Sequence, residues 1–212
     1  MKSSLSLLII TKNFGGLIGQ VLEAVKDLAD EVVIVYESQG DSGFARSSLA
    51  RMTRQFQYQT DDFGKRKAFG LAKCRGEWVL VLDDDEIVTP ELKEEINNIR
   101  RSWTSQDDEK NIGYYIPFQN HFLGRPVNYG GEDYKMLRLF RKDSVFIKPA
   151  LVHEGFVLKK GNAGYLKNKI NHYSGLIATI CRFLTSFEMQ IPKYKRNLFF
   201  TFQSPMNTKF FF

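Results

Sequence analysis

Cysteine is scarce: Cys74 and Cys181 are the only two in 212 residues, and they sit far apart without the paired spacing of a zinc site. That excludes a disulfide framework and points to a reducing compartment rather than secretion. Long apolar runs are missing too. The first, Leu5 to Ile10, is broken by Ser6 and followed by Thr11, Lys12 and Asn13. It is too short for a secretion-signal core with a cleavage site, and no stretch approaches the roughly 18 to 20 apolar residues of a membrane span, so a cytoplasmic protein is expected. Neither sign of charge is concentrated: 30 Lys and Arg against 24 Asp and Glu leave a formal net charge of +6, with acids lying among the bases. Such a balance suits anionic partners, nucleotide diphosphates or lipid headgroups among them, without forming the basic stripe of a nucleic-acid binder. Internal repeats are absent as well.

What is present is an alternation of strand and helix patterns. Leu5 to Ile10 reads as a buried strand, and Leu17, Val21, Leu22, Val25 and Leu28 recur at helical spacing behind Gly15-Gly16. Glu31 to Tyr36 is a second buried strand, so the chain opens with a βαβ unit, whose parallel strands end on one side of the sheet. Ligands of open α/β sheets bind at that side. A second helix is expected over Ala45 to Met52, a third strand over Gln55 to Gln59, a third helix over Lys65 to Cys74 and a fourth strand over Trp78 to Leu82. Thr89 and Pro90 start another helix with Glu91, Glu94 and Glu95 in its early turns, where the helix dipole favours acids. Ser102 to Asn111 reads as a polar loop. Beyond it come short strands over Gly113 to Asn120, Phe122 to Tyr129, Lys135 to Arg141 and Val152 to Leu158, and a helix over Leu176 to Met189. A mainly parallel half thus gives way to a mixed β half.

The fourth strand runs directly into Asp83, Asp84, Asp85 and Glu86. Carboxylates packed this closely repel one another unless a cation sits among them. All-oxygen ligands suit Mg²⁺ or Mn²⁺, ions that keep waters and complete their shells with phosphate oxygens, which implies a diphosphate ligand. The same acids also fit a solvated loop leading into the helix at Pro90.

In its ordered motifs the chain resembles the family-2 glycosyltransferases of the GT-A fold, particularly the branch with the lipopolysaccharide core glucosyltransferases. The resemblance rests on Ile9 to Asn13, Phe63 to Lys67, Gly76 to Glu86, Phe122 to Arg125, Asp133 to Arg141 and Val152 to Glu154, in that order. It implies an α/β GT-A fold: a Rossmann-like, mostly parallel sheet with helices on both faces and a mixed β acceptor-side half. Residues 1–175 would form this domain, with 1–103 as its nucleotide-sugar half and 112–175 as its acceptor half. Residues 176–212 would add a C-terminal helix and tail. The implied activity is inverting transfer of a hexose from a nucleotide-diphosphate sugar, with uridine as the family's usual base, to a cell-envelope glycan or lipid-linked acceptor, with Mg²⁺ or Mn²⁺.

The resemblance also distributes roles. Asp83 would lie near ribose and sugar and Asp85 would ligate the metal, with Asp83 and His153 as further metal-ligand candidates and Asp84 beside the donor; Glu86 is expected to stand behind the ligands. Asp133 takes the place of the base that removes the acceptor hydroxyl's proton, preferred over Glu132, although both acids after Gly130-Gly131 also suit a turn. Arg138 and Arg141 lie three apart on one strand and therefore on opposite faces, so only one can serve the site; Arg138 matches the family's Arg-Leu-Phe. Lys67 would meet the diphosphate as a point charge or lie in solvent. Thr11 and Asn13 would approach base or ribose. His153 and His172 stay open between ligand and structural roles, and His121 reads as structural.

Two departures bear on nucleotide recognition. Tyr36 stands where the family has an Asp that reads uracil, leaving Glu37 to compensate or Tyr36 to stack on the base, with Asp41 the one acid kept in register; and Phe14 replaces an acidic residue. The tail after Glu188 carries Lys193, Lys195, Arg196 and Lys209 with Phe199, Phe200, Phe202 and Phe210 to Phe212. That composition fits a membrane interface, packing on the body or a partner, or an end altered relative to longer relatives. Two other classes remain open: a non-catalytic relative that binds without turnover, and a sugar-phosphate nucleotidyltransferase, which would want a Gly-rich basic loop after the first strand.

Overall fold

The structure, a computed structural model, describes residues 4–13, 17–38, 52–103, 111–122, 125–128, 134–148 and 155–173. The expected helices over Ala45 to Met52 and Leu176 to Met189, and the tail, lie outside these residues, apart from Met52 itself.

Strand β1 (Leu5–Asn13) leads through α1 (Ile18–Ala24) to β2 (Glu31–Ser38), and β3 (Thr53–Gln57) follows. α2 (Phe63–Lys73), β4 (Trp78–Asp83), the short β5 (Glu86–Val88) and α3 (Pro90–Ser102) complete the first half. The second half is almost entirely strand: β6 (Gly113–Phe122), β7 (Arg125–Pro126), β8 (Lys135–Arg141), β9 (Val145–Lys148), β10 (Gly155–Leu158), β11 (Ala163–Tyr165) and β12 (Ile170–Tyr173). One sheet runs β3-β2-β1-β4-β8-β6-β12-β5, with β7 and β11 also paired to β6, while β9 and β10 form a separate antiparallel pair. The first four strands are parallel and β8 enters antiparallel to β4. This is the expected passage from a parallel to a mixed half.

Alternation along the strands builds two cores. Leu5, Leu7 and Ile9 of β1 face α1 and α3 together with Val32, Ile34, Leu80 and Leu82, while Leu8 and Ile10 face α2 with Val33, Val35, Val79 and Val81. Strands buried on both faces read as continuous apolar runs, as β1, β2 and β4 do. α2 lies close to the sheet at Gly70, where an added Cβ would stand 2.6 Å from Leu8 Cδ1 and 3.0 Å from Val35 Cγ2. α3 is capped by the Thr89 side chain, which accepts the Leu92 N–H at 3.2 Å. At the end of α3 Trp103 stacks on Trp78, ring centroids 4.2 Å apart.

Several boundaries differ from expectation, α2 among them, which runs from Phe63 to Lys73 rather than Lys65 to Cys74. β3 begins two residues earlier, at Thr53, because its register is set by β2, Val32 opposite Thr53. The expected strand over Phe122 to Tyr129 is instead the end of β6 and the two-residue β7, paired antiparallel at Phe122 and Arg125. The acids after β4 do not run on as a loop to Pro90: Glu86 to Val88 form β5, drawn in by β12.

Candidate active site

The parallel strands β1, β2 and β4 end on one side, and the site is assembled there. β4 delivers Asp83, a turn carries Asp84 and Asp85, and β5 begins at Glu86. β8, the antiparallel neighbour of β4, brings Arg138 to the same point, although 55 residues separate it from Asp83.

Arg138 is 4% exposed, and its guanidinium donates to Asp83 Oδ2 at 2.9 Å and to Glu86 Oε1. The other Glu86 oxygen accepts the Asp83 backbone N–H at 3.0 Å, which closes the turn from behind. Burial weighs most on both acids, yet their titrations separate. Asp83 is held below the usual carboxylate range because Arg138, Lys67 and the hydrogen bonds outweigh its burial. Glu86 is pushed well up by burial, with the charges of Asp83 and Asp85 adding to the rise and Arg138 opposing it. One cation thus serves two carboxylates of unequal basicity. Arg138 itself is raised, burial being outweighed by Glu86 and Asp83.

Asp84 turns toward β1, where it accepts the hydroxyl of Thr11. Its carboxyl is raised by burial and by the charges of Asp85 and Asp83, against the Thr11 hydrogen bond. Thr11 is therefore engaged with the acidic turn rather than held out toward a base. Asp85 points the other way, to β12: its Oδ2 lies 3.6 Å from His172 Nε2 and its backbone carbonyl accepts the Tyr173 N–H at 2.9 Å. His172 Nδ1 in turn lies 2.7 Å from Asn120 Oδ1, which also accepts the Tyr134 hydroxyl at 3.2 Å.

Beside this turn, between the ends of the strands and the start of α2, Lys12, Glu37, Ser38, Gln59, Thr60 and Asp61 line a cleft of about 540 Å³. Glu37 reaches it from β2 and pairs at 2.7 Å with Arg66, which is fully buried and also donates to the Thr60 carbonyl. Tyr36 is 8% exposed and packs in the core beneath α1. The two ways of meeting the Tyr36 departure thus separate: Tyr36 offers no ring face to a base, whereas Glu37 does border the cleft. Lys67 is half-buried on α2 and its charge reaches Asp83.

Arg138 and Arg141 divide as their spacing implies: Arg138 enters the acidic turn, while Arg141 sits at the other end of β8 against Glu77 at 3.5 Å and over the Trp78 ring. Glu86 stands behind the turn, as expected. His121 stacks on Tyr173, and burial lowers its pKa, in keeping with a structural role. Asn13 ends β1 beside Ser38 of β2. Asp41, Glu132, Asp133 and His153 lie outside the described residues. Arg66 and Tyr134 fall within the resembling motifs, but the Arg66–Glu37 and Asn120–Tyr134 partnerships depend on contacts between elements that no local pattern encodes.

Among the described residues no three His, Cys, Asp or Glu side chains gather into a metal cage. The donor set nonetheless fits a hard divalent ion. Arg138 occupies Asp83 and Glu86, Thr11 occupies Asp84, and Asp85 is left facing an imidazole, an arrangement that suits an ion taking most of its ligands from water and phosphate.

No protein-family model matches the chain. Similar sequences include proteins named as uncharacterized glycosyltransferases. One from Rickettsia prowazekii is 28% identical over 182 residues, covering 81% of this chain and 60% of its own length. Another, from Rickettsia typhi, is 27% identical over 187 residues, with coverages of 81% and 60%. The chain thus spans about 60% of the length of these relatives. Among solved structures, S. aureus TarS 1-349 aligns with a TM-score of 0.55 at 16% identity, covering 88% of this chain and 65% of that one. The same protein in complex with UDP-GlcNAc aligns with a TM-score of 0.55, covering 81% and 58%. At such identity the likeness is one of fold, and the fold is the α/β GT-A type of glycosyltransferases.

Proposed function

We propose that the chain is the catalytic portion of an inverting glycosyltransferase that moves a hexose from a nucleotide-diphosphate sugar, UDP-linked in the first instance, to a hydroxyl of a lipopolysaccharide-core or other cell-envelope acceptor. The observation that carries this reading is the Asp83–Asp85 turn at the ligand end of β4, backed by the buried Arg138–Glu86 pair, with a cleft at the ends of the neighbouring β1 and β2. The names of the Rickettsia proteins support the class, and the UDP-GlcNAc bound by TarS supports a nucleotide-sugar donor.

In this reading the nucleoside lies in the cleft over Glu37 and Lys12, with Asn13 at the end of β1 bordering the ribose. Glu37, fixed by Arg66, accepts a base N–H. Asp83, with its charge kept by Arg138, accepts ribose or sugar hydroxyls, and Thr11 holds Asp84 in the wall of the site. Asp85 holds Mn²⁺ or Mg²⁺, which when bound neutralises charge on the departing diphosphate. Lys67 adds a point charge on the same side. Asp133, or failing it Glu132, takes the acceptor's proton as the hydroxyl attacks the anomeric carbon opposite the departing diphosphate.

The test is transfer from a panel of nucleotide hexoses, chosen by Mn²⁺-dependent thermal stabilisation of the protein, since a ligand bound only by the folded state raises the melting temperature. Asp85→Ala and Asp133→Ala are each expected to remove sugar transfer. Unchanged transfer in both variants refutes the assignment.

A further inference from the structure

The antiparallel pair β9–β10 turns an apolar patch to solvent for which sugar transfer has no use. The pair lies on the α2 side of the sheet, where Val145 and Phe156 enter the core and Ile147 and Leu158 pack against it. Phe156 meets Phe140 of β8 with ring centroids 4.8 Å apart, which anchors the pair to the body. Alternation then sends the facing residues Phe146 and Val157 outward. A slip of one residue would expose Val145 and Ile147 instead, so the outward face is fixed by the core. Phe146 is 46% exposed, a large ring held in water on a rigid ladder. Lys148 stands two residues from Phe146 along β9, and Lys159 two residues beyond Val157, where its N–H still pairs with the Ser144 carbonyl at 2.8 Å. The same alternation therefore places a lysine at each end of the apolar pair. Among the described residues of 142–160 four lysines stand against one acid, Asp143. The opposite side of the sheet carries the exposed acids Glu23, Asp27, Glu91 and Glu94.

We propose that the outward face of β9–β10 is a peripheral docking surface for an anionic lipid bilayer, with Phe146 as the inserted side chain and Lys148 and Lys159 as the headgroup contacts. The chemistry matches at both depths. An aromatic ring beside an aliphatic side chain enters the boundary between headgroups and acyl chains, while lysine stems lie along it and keep their ammonium groups at the level of the lipid phosphates. A nucleic acid would engage the lysines but give Val157 no apolar partner. The acids on the far side of the sheet favour one orientation, with the α2 side toward the membrane. This surface is separate from the acidic turn, and it stands or falls independently of the transfer reading.

The test sediments the full chain with vesicles of equal parts phosphatidylglycerol and phosphatidylcholine, and with phosphatidylcholine vesicles alone. Wild-type protein is expected to go down with the anionic vesicles at about 0.1 M salt, to be released at about 1 M, and to leave the neutral ones largely unbound. Phe146→Ser, and separately Lys148→Glu with Lys159→Glu, should each lower partitioning about tenfold or more. Phe146→Trp puts a reporter at the contact: its emission should shift to the blue on anionic vesicles and be quenched by brominated acyl chains, over a constant background from the buried Trp78 and Trp103. Lys193→Ser, Lys195→Ser and Arg196→Ser together remove basic charge from the tail and should leave most of the binding and the quenching in place. These hairpin positions are exposed, and circular dichroism confirms that each variant is folded. The proposal is overturned if anionic vesicles do not bind the wild-type chain, if neutral vesicles bind it equally, or if the Phe146→Trp emission stays unmoved while the protein is bound. It is also overturned if the tail substitutions alone abolish binding, or if the lysine substitutions weaken binding to single-stranded DNA and leave vesicle binding unchanged.

Discussion

Replacing Arg138 by Met removes the cation shared by Asp83 and Glu86 while roughly keeping the volume of its stem. Glu86 is 2% exposed and its side chain is held by Arg138 and by the Asp83 N–H, so the variant leaves a carboxylate in the core with only the backbone bond for support. Removing one partner of a buried pair costs about 3–5 kcal/mol. The loss should depend on pH in a defined direction. Glu86 already titrates well above its ordinary 4.5 through burial, and without Arg138 it rises further. Above the unfolded value the native state then holds a proton that the unfolded chain has released. Stability therefore falls as pH rises, by about 1.4 kcal/mol per unit, until the folded carboxyl itself ionises. Urea denaturation of Arg138→Met should accordingly show a smaller deficit at pH 5 than at pH 7. Arg138→Met with Glu86→Gln should recover much of the loss at pH 7, since the uncompensated charge is gone. A deficit below about 1 kcal/mol, or one that does not change with pH, refutes the account of Arg138 as the cation that keeps Glu86 in the core.

Gly70→Ala gains helix propensity of about 1 kcal/mol, yet it drives a methyl into Leu8 and Val35 beneath α2; a net loss of about 1–2 kcal/mol by urea denaturation is expected. Thr89→Ala removes the cap on the Leu92 N–H and should cost about 1 kcal/mol, lowering the melting temperature by a few degrees. Cys74 is buried and its thiol is pushed up to about 12 by burial, so peptide mapping after iodoacetamide at pH 8 should find it unlabelled in native protein and labelled in urea. Labelling of Cys74 at equal rates in both states would contradict its placement under the sheet.

The sequence was most legible where local pattern and tertiary role agree. The helix at Pro90 starts where Thr89 and the early acids place it, and β8 occupies Lys135 to Arg141 as expected, with Leu137 to Phe140 buried on both faces of the strand. The acidic turn could be placed at the ligand end of the sheet from the order of strands alone. What escaped was short and held by distant partners. β5 is three residues long and reads as an extension of the acids, while β11 and β12 take their strand character from pairing with β6. Missing β12 left His172 undecided, since only its place between β5 and β6 brings it to Asp85. Arg138 was legible as a candidate but its partnership with Glu86 was not, because a buried ion pair is a property of two strands at once.

The insertion of β8 beside β4 also constrains the order in which the protein folds. The strands β1, β2 and β4 can pair with one another once the first half is made, but the cation that Glu86 requires comes with β8, and the remaining strands β6, β12 and β5 are paired beyond it. Parallel pairing of the first half alone therefore leaves Glu86 without its cation, which β8 supplies. Non-local pairings of this kind are slow to form. The acidic turn and this non-local pairing meet at Arg138, so the β4–β8 contact and the candidate chemical centre are expected to appear together during refolding.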